Sequence, residues 1–140
     1  MQQVLEFVVN HWMLFVTLGV ILGLLAHNVF MGGKGSVDPH AATDLINHQD
    51  AVIIDVRPTA DFSKGHIINA VNLPINGFQN QIGTLQKYKG RPVIVSCRSG
   101  SQSSAACQQL RKAGFEQVYN LRGGILAWQN ANLPVSRKRK

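Results

Sequence analysis

Near the N-terminus apolar residues run on without interruption by charge: between Glu6 and Lys34 there is no Asp, Glu, Lys or Arg. At 1.5 Å per residue the stretch 11–30 is long enough to cross a hydrocarbon core about 30 Å thick, which predicts one transmembrane helix within 7–31. A cleaved signal peptide fits less well. The start, Met1-Gln2-Gln3-Val4-Leu5-Glu6, has no basic residue, and no small-x-small cleavage site follows. The next residues, 32–36, are rich in glycine and read as a flexible linker.

From 37 to 135 short apolar runs alternate with amphipathic stretches. Asp38-Pro39 looks like an N-cap with proline at the first helical position, and Ala41, Ala42, Leu45 and Ile46 give the helix an apolar face. Ala51-Val52-Ile53-Ile54-Asp55-Val56 and Pro92-Val93-Ile94-Val95-Ser96 are continuous apolar runs, the pattern of strands buried on both faces. Residues 57–64 read as loop with one helical turn, and 70–73 as a short strand ended by Pro74. Phe78, Ile82 and Leu85 recur at helical spacing. A helix over 102–113 is closed by Gly114, a strand follows over 118–121, and a last helix over 125–131 is anchored by Trp128. This rhythm predicts an α/β fold: a small, largely parallel sheet flanked by helices, preceded by one transmembrane helix.

Charge adds little to this picture. The net charge of +7 owes four of its fourteen basic residues to the last four positions, Arg137, Lys138, Arg139 and Lys140. Residues 136–140 therefore form a basic tail that is either solvated or held to anionic lipid, and four cations without aromatic or groove-reading context argue against nucleic acid. Lys34 follows the apolar segment and no cation precedes it, so the positive-inside rule places the domain in the cytoplasm, as a single-pass protein of a bacterial inner membrane. Two free cysteines fit a reducing compartment, and no cysteine or histidine spacing fits a metal site. Gly19 and Gly23 have the spacing that lets two membrane helices approach and dimerise, although glycine is common in such helices.

Cys97 lies where chemistry gathers in an α/β sheet, at the carboxyl end of an apolar strand and at the start of a helix. The short loop after it contains Gly100, so successive amides can point at the sulfur and favour a thiolate nucleophile. Cys107 shares a helical face with Ala106 and Leu110 and reads as packing. Ten residues of mostly helix also place it about 15 Å from Cys97, too far for a resolving thiol. A Cys-x5-Arg phosphatase needs an arginine where this chain has Ser103.

An ordered set of motifs completes the reading: Asp55-Val56-Arg57, Asp61-Phe62, Gly65-His66-Ile67, Ala70-Val71-Asn72-Leu73-Pro74, the Cys97 loop, Leu121-Arg122-Gly123-Gly124, Ala127-Trp128 and Leu133-Pro134-Val135. Together they resemble the rhodanese-like (sulfurtransferase) domain. The resemblance implies transfer of sulfane sulfur, without a cofactor, from a small donor such as thiosulfate to a thiol or cyanide through a Cys97 persulfide. The amides of Arg98, Ser99, Gly100, Ser101 and Gln102 would then hold the terminal sulfur. Asp55 and Arg57 would brace the loop region, with Asp61 as ion-pair partner, and His66 would be a turn residue before the next strand. The alternative is a non-catalytic rhodanese-like module that binds a membrane partner, a role in which the cysteine would not be needed.

Overall fold

The computed structural model describes the backbone of residues 1–32 and 35–137, with side chains for 1–27 and 35–137. Gly33 and Lys34 of the expected linker and Lys138, Arg139 and Lys140 of the expected tail lie outside the described residues. Met1–Lys34 and Gly35–Lys140 are separate compact units.

The apolar N-terminal segment, expected as one helix over 7–31, is two. α1 (Gln2–Asn10) and α2 (Trp12–Gly32) meet at His11, with a bend of 73°. His11 leaves the helical region at φ −120°, ψ 26°. Its backbone N–H and its ring Nδ1 both donate to the Phe7 carbonyl, each at 3.0 Å, and the ring stacks on that of Phe7. Beyond the bend the Leu14 N–H donates to the His11 carbonyl at 2.9 Å, a tighter turn that restarts the helix. Among the described residues no single helix is long and apolar enough to cross a membrane; Gln2–Asn10 and Trp12–His27 reach that length and composition only as a bent pair.

In the second unit five parallel strands lie in the order β1–β6–β5–β2–β4. They are β1 (Ser36–Val37), β2 (Val52–Asp55), β4 (Val71–Asn72), β5 (Val93–Ser96) and β6 (Val118–Leu121). Ser36, assigned to the linker from its composition, is thus already part of the sheet. The inner strands β2 and β5 are buried along their whole length. Their alternate residues feed two cores. Val52, Ile54, Val93 and Val95 join Leu110, Phe78 and Leu85 on one face, and Ile53 and Ile94 join Leu121, Ile125 and Trp128 on the other. Each such side chain contributes roughly 1.5–3 kcal/mol by leaving water.

Helices cover both faces. α3 (Pro39–Gln49) is capped by Asp38, whose Oδ1 accepts the Ala41 N–H at 2.8 Å. α6 (Ser101–Lys112) ends as the glycine foretold: Gly114 sits at φ 97°, its N–H donates to Arg111 and that of Phe115 to Leu110. That pattern is a Schellman cap, with Phe115 and Leu110 packed in the same core. α7 (Gly124–Asn130) buries Trp128, whose indole N–H donates to the Pro134 carbonyl at 3.0 Å. The remaining helical pieces are α4 (Thr59–Lys64), α5 (Phe78–Gln81) and a 3₁₀ stretch, Ile82–Tyr88.

A second, two-stranded sheet pairs β3 (His66–Ile67) antiparallel with β7 (Val135–Ser136). His66 is therefore a buried strand residue and not a turn histidine. Its Nδ1 lies 2.8 Å from the Phe62 carbonyl, and its ring lies flat on that of Phe62 with centroids 3.8 Å apart.

Candidate active site

Strand parity decides where the cysteine points. Cys97 continues the alternation of Val93 and Val95, so it faces the core beneath α6 and is 1% exposed. The chain then turns through Gly100, at φ 99°, a conformation open mainly to glycine, and enters α6 at Ser101. This turn brings the Gly100 N–H to 2.9 Å from Cys97 Sγ and the Ser103 hydroxyl to 3.3 Å. Burial pushes the thiol's pKa up. The Ser103 hydroxyl and the amides of Ser103, Gly100 and Ser99 outweigh it, so the thiol lies below its ordinary value.

Two further elements hold the loop. The Cys97 carbonyl accepts the Ile125 N–H at 2.8 Å and the Arg98 carbonyl accepts the Leu126 N–H at 3.3 Å, which docks the loop on the first turn of α7. Such an approach needs Gly124, at φ 58°, because a Cβ there would fall within 2.6 Å of the Arg98 backbone and closer still to the Cys97 oxygen. From β6, Asn120 donates its Nδ2–H to the Gly100 carbonyl at 2.9 Å and accepts the Ser103 hydroxyl proton on Oδ1.

Of the amides expected to cradle sulfur, those of Ser99 and Gly100 face the resting Sγ and are joined by that of Ser103; those of Arg98, Ser101 and Gln102 are not among the groups that do. The side chains of Arg98, Ser99, Ser101 and Gln102 are exposed. Arg98 lines a cleft of about 310 Å³ shared with Arg57, Asp61 and Lys64 on one side and Ile125, Leu126 and Gln129 on the other.

Asp55 and Arg57 are brought together at the carboxyl end of β2. Arg57 Nη2 is 2.7 Å from Asp55 Oδ2 and 2.7 Å from the Gly65 carbonyl, and Nε donates to the same carboxylate. The expected pairing of Arg57 with Asp61 does not form. Asp55 takes the whole guanidinium edge because both are buried, whereas Asp61 is exposed and lies 4.0 Å from Lys64.

Cys107 is buried in the core, and burial pushes its thiol up to about 11; Arg111 opposes this shift and charge at Cys97 adds to it. It sits one helical turn from Ser103, which touches Cys97, so the two sulfurs are nearer than 15 Å of chain arithmetic allowed: α6 folds back over β5.

Ser103, Asn120 and Asn72 were not singled out from the sequence as site residues. Asn72 donates to the carbonyls of Asp55 and Arg57 at 3.1 and 2.9 Å. Asn72 and Asn120 did carry a signal, since each is a polar residue near the carboxyl end of a short apolar strand, the edge at which such sheets bind ligands.

Residues 38–131 match the model of the rhodanese-like domain. The chain is 38% identical to the Escherichia coli K12 protein YibN, itself uncharacterised, over 98% of this chain and 99% of that one. It is 34% identical to the thiosulfate sulfurtransferase GlpE of Vibrio cholerae, over 71% of this chain and 92% of that protein. The crystal structure of a rhodanese-related protein from Thermoplasma volcanium superposes with a TM-score of 0.67 at 26% identity, over 74% of this chain and 99% of that one.

Proposed function

The chain belongs to the rhodanese-like family, and on that footing we propose that it is a sulfurtransferase that carries sulfur on Cys97. The observation that supports this most directly is the environment of Sγ, a buried sulfur with an amide N–H at 2.9 Å and a thiol pKa held down. The thiolate attacks the sulfane sulfur of a donor such as thiosulfate. An S–S bond to Cys97 forms as the donor's S–S bond breaks, and sulfite departs with the bonding pair. An acceptor thiolate then attacks the terminal sulfur and the Cys97 thiolate leaves, so the cycle needs no external oxidant or reductant. Loop amides compensate the negative terminal sulfur, as an oxyanion hole compensates oxygen. Arg98 and Lys64, both on the neighbouring cleft, supply positive charge for an anionic donor.

Incubation with thiosulfate followed by intact-mass measurement should add about 32 Da, removable by a thiol or cyanide and absent in Cys97→Ser. An unmodified wild-type mass under turnover conditions would leave the domain as an interaction module.

The N-terminal pair α1 and α2 supports a membrane tether as part of the same reading. Every described side chain in it is exposed, Leu14, Leu18, Leu22 and Leu25 among them, so nothing within the unit covers this apolar surface. The likeness to YibN also extends across this region. With Lys34 on its carboxyl side, the domain would lie in the cytoplasm. In cell fractionation the full chain should pellet with membranes and resist carbonate washing; release by carbonate would refute the tether and leave the enzymatic assignment intact.

A further inference from the structure

Ser103 has one hydroxyl proton and two neighbours that compete for it. Its Oγ is 3.3 Å from Cys97 Sγ and 2.5 Å from Asn120 Oδ1. The orientation of the Asn120 amide is fixed, because its other end meets the Gly100 carbonyl at 2.9 Å; a carbonyl only accepts, so Nδ2 must lie there and Oδ1 must face Ser103. Oδ1 carries no proton, so Ser103 donates to Asn120 and turns its lone pairs to the sulfur. A neutral thiol fits this arrangement by donating S–H to Oγ. A thiolate does not. It needs the hydroxyl proton for itself and obtains it only if Asn120 gives it up.

We propose that Asn120 is a positioning residue that competes with Cys97 for the Ser103 hydroxyl, holding its proton when the inner sulfur is neutral and yielding it when the sulfur is a thiolate. Rotation about one C–O bond moves the proton between the two acceptors, with no displacement of heavy atoms. The consequence for the persulfide rests on the sulfurtransferase reading; the consequence for the free thiol does not. In the persulfide the inner sulfur is uncharged and the terminal one bears the charge, so the hydroxyl returns to Asn120 and is not left buried without an acceptor. When the terminal sulfur is handed on, the thiolate reappears and reclaims it. Asn120 thus favours the loaded state over the empty thiolate.

Charged neighbours do not confuse the comparison. Arg98, next to Cys97 on the loop itself, is exposed, lines the adjacent cleft and is common to all four proteins compared below. α7 carries no ionisable side chain, β6 brings only Tyr119, which packs with the core on the opposite face, and Asp55 at the end of β2 is paired with Arg57. On α6 the nearest titratable group is Cys107, protonated at neutral pH, with Arg111 acting on it.

The test is the pH profile of iodoacetamide alkylation at Cys97, followed by peptide mass mapping of the full chain in detergent. It compares wild type, Asn120→Leu, Ser103→Ala and the double variant. Loss of the Gly100 anchor acts alike with or without the hydroxyl and cancels between backgrounds. With Ser103 present, the midpoint change caused by Asn120→Leu should lie about one unit lower than the change in the Ser103→Ala background, a tenfold difference in thiolate-to-thiol ratio. Equal changes in the two backgrounds overturn the proposal. If Asn120→Leu does not fold, the wild-type side-chain amide resonance of Asn120 serves instead. It should titrate with the alkylation midpoint, and an amide unmoved through that midpoint overturns the proposal equally. Failure of thiosulfate to load Cys97, with the coupling intact, would remove the enzymatic reading alone.

Discussion

Gly124→Ala is expected to destabilise the domain by about 3 kcal/mol and to lower sulfur transfer roughly a hundredfold. Two costs combine. At φ 58° an L-residue sits in the left-handed region, worth about 1–2 kcal/mol, and the new methyl would overlap the Cys97 and Arg98 carbonyls, which are backbone and cannot swing aside. Relief requires the first turn of α7 to withdraw, breaking the Ile125-to-Cys97 hydrogen bond that seats the loop. Since a shift of about 1 Å in a reacting group costs on the order of a hundredfold, activity should fall further than loss of folded protein explains. The measurements are a thermal melt, with a drop of roughly 12–20 °C, and the single-turnover loading rate well below the new midpoint. Gly83, which has open space where a Cβ would stand, is the control: Gly83→Ala should leave both unchanged. A Gly124→Ala protein with wild-type loading would show that the contact with α7 does not position Cys97.

Arg57→Leu should be comparably severe for a different reason. Asp55 is 1% exposed, and its carboxylate is matched by three Arg57 side-chain hydrogen bonds and one from the Arg57 backbone. Removing the guanidinium leaves a buried negative charge and an unsatisfied Gly65 carbonyl, a loss of roughly 3–5 kcal/mol. Replacing both residues with leucine removes the stranded charge and should recover about half of that loss in urea melts. The pair Arg91–Asp50, at 3.1 Å on the surface, gives the contrast: Asp50 is largely exposed, and Arg91→Leu should cost no more than about 1 kcal/mol. If Arg57→Leu were as mild as Arg91→Leu, the bracing role assigned to the Asp55–Arg57 pair would be lost.

The inner strands were legible in the chain because burial on both faces leaves a run of apolar residues that nothing else of that length produces, and Cys97 was legible because it directly follows one of them. The Gly114 cap and the Asp38 cap were legible for a similar reason: each is a local rule satisfied by neighbours in sequence. What was not legible depends on partners distant in the chain. β1, β3 and β7 are two residues each, too short to show a period, and exist only through pairing. His66 was misplaced because its strand partner is Ser136, and the pairing of Arg57 was misassigned because proximity in sequence does not reveal that Asp55 is buried and Asp61 is not. The break at His11 escaped because Asn10 and His11 are polar but uncharged, and the run was read by its lack of charge between Glu6 and Lys34. Phe78, Ile82 and Leu85 showed a helix but not that most of it is 3₁₀, since the gap of four spans the α-helical turn and the gap of three that follows suits either winding. Ser103 and Asn120 lie seventeen residues apart, and only the sheet places one over the other.

The edge strand β1 sets a limit on how far the protein can be trimmed. Gly35 lends its carbonyl to the Asn120 N–H at 2.7 Å, and Ser36 stands opposite Asn120 in the sheet. A fragment cut for solubility at Val37, where the amphipathic pattern begins, would strip that hydrogen bond from the strand that carries Asn120 and expose β6 as a raw sheet margin open to other chains. A cut one residue ahead of Gly35 keeps the margin covered.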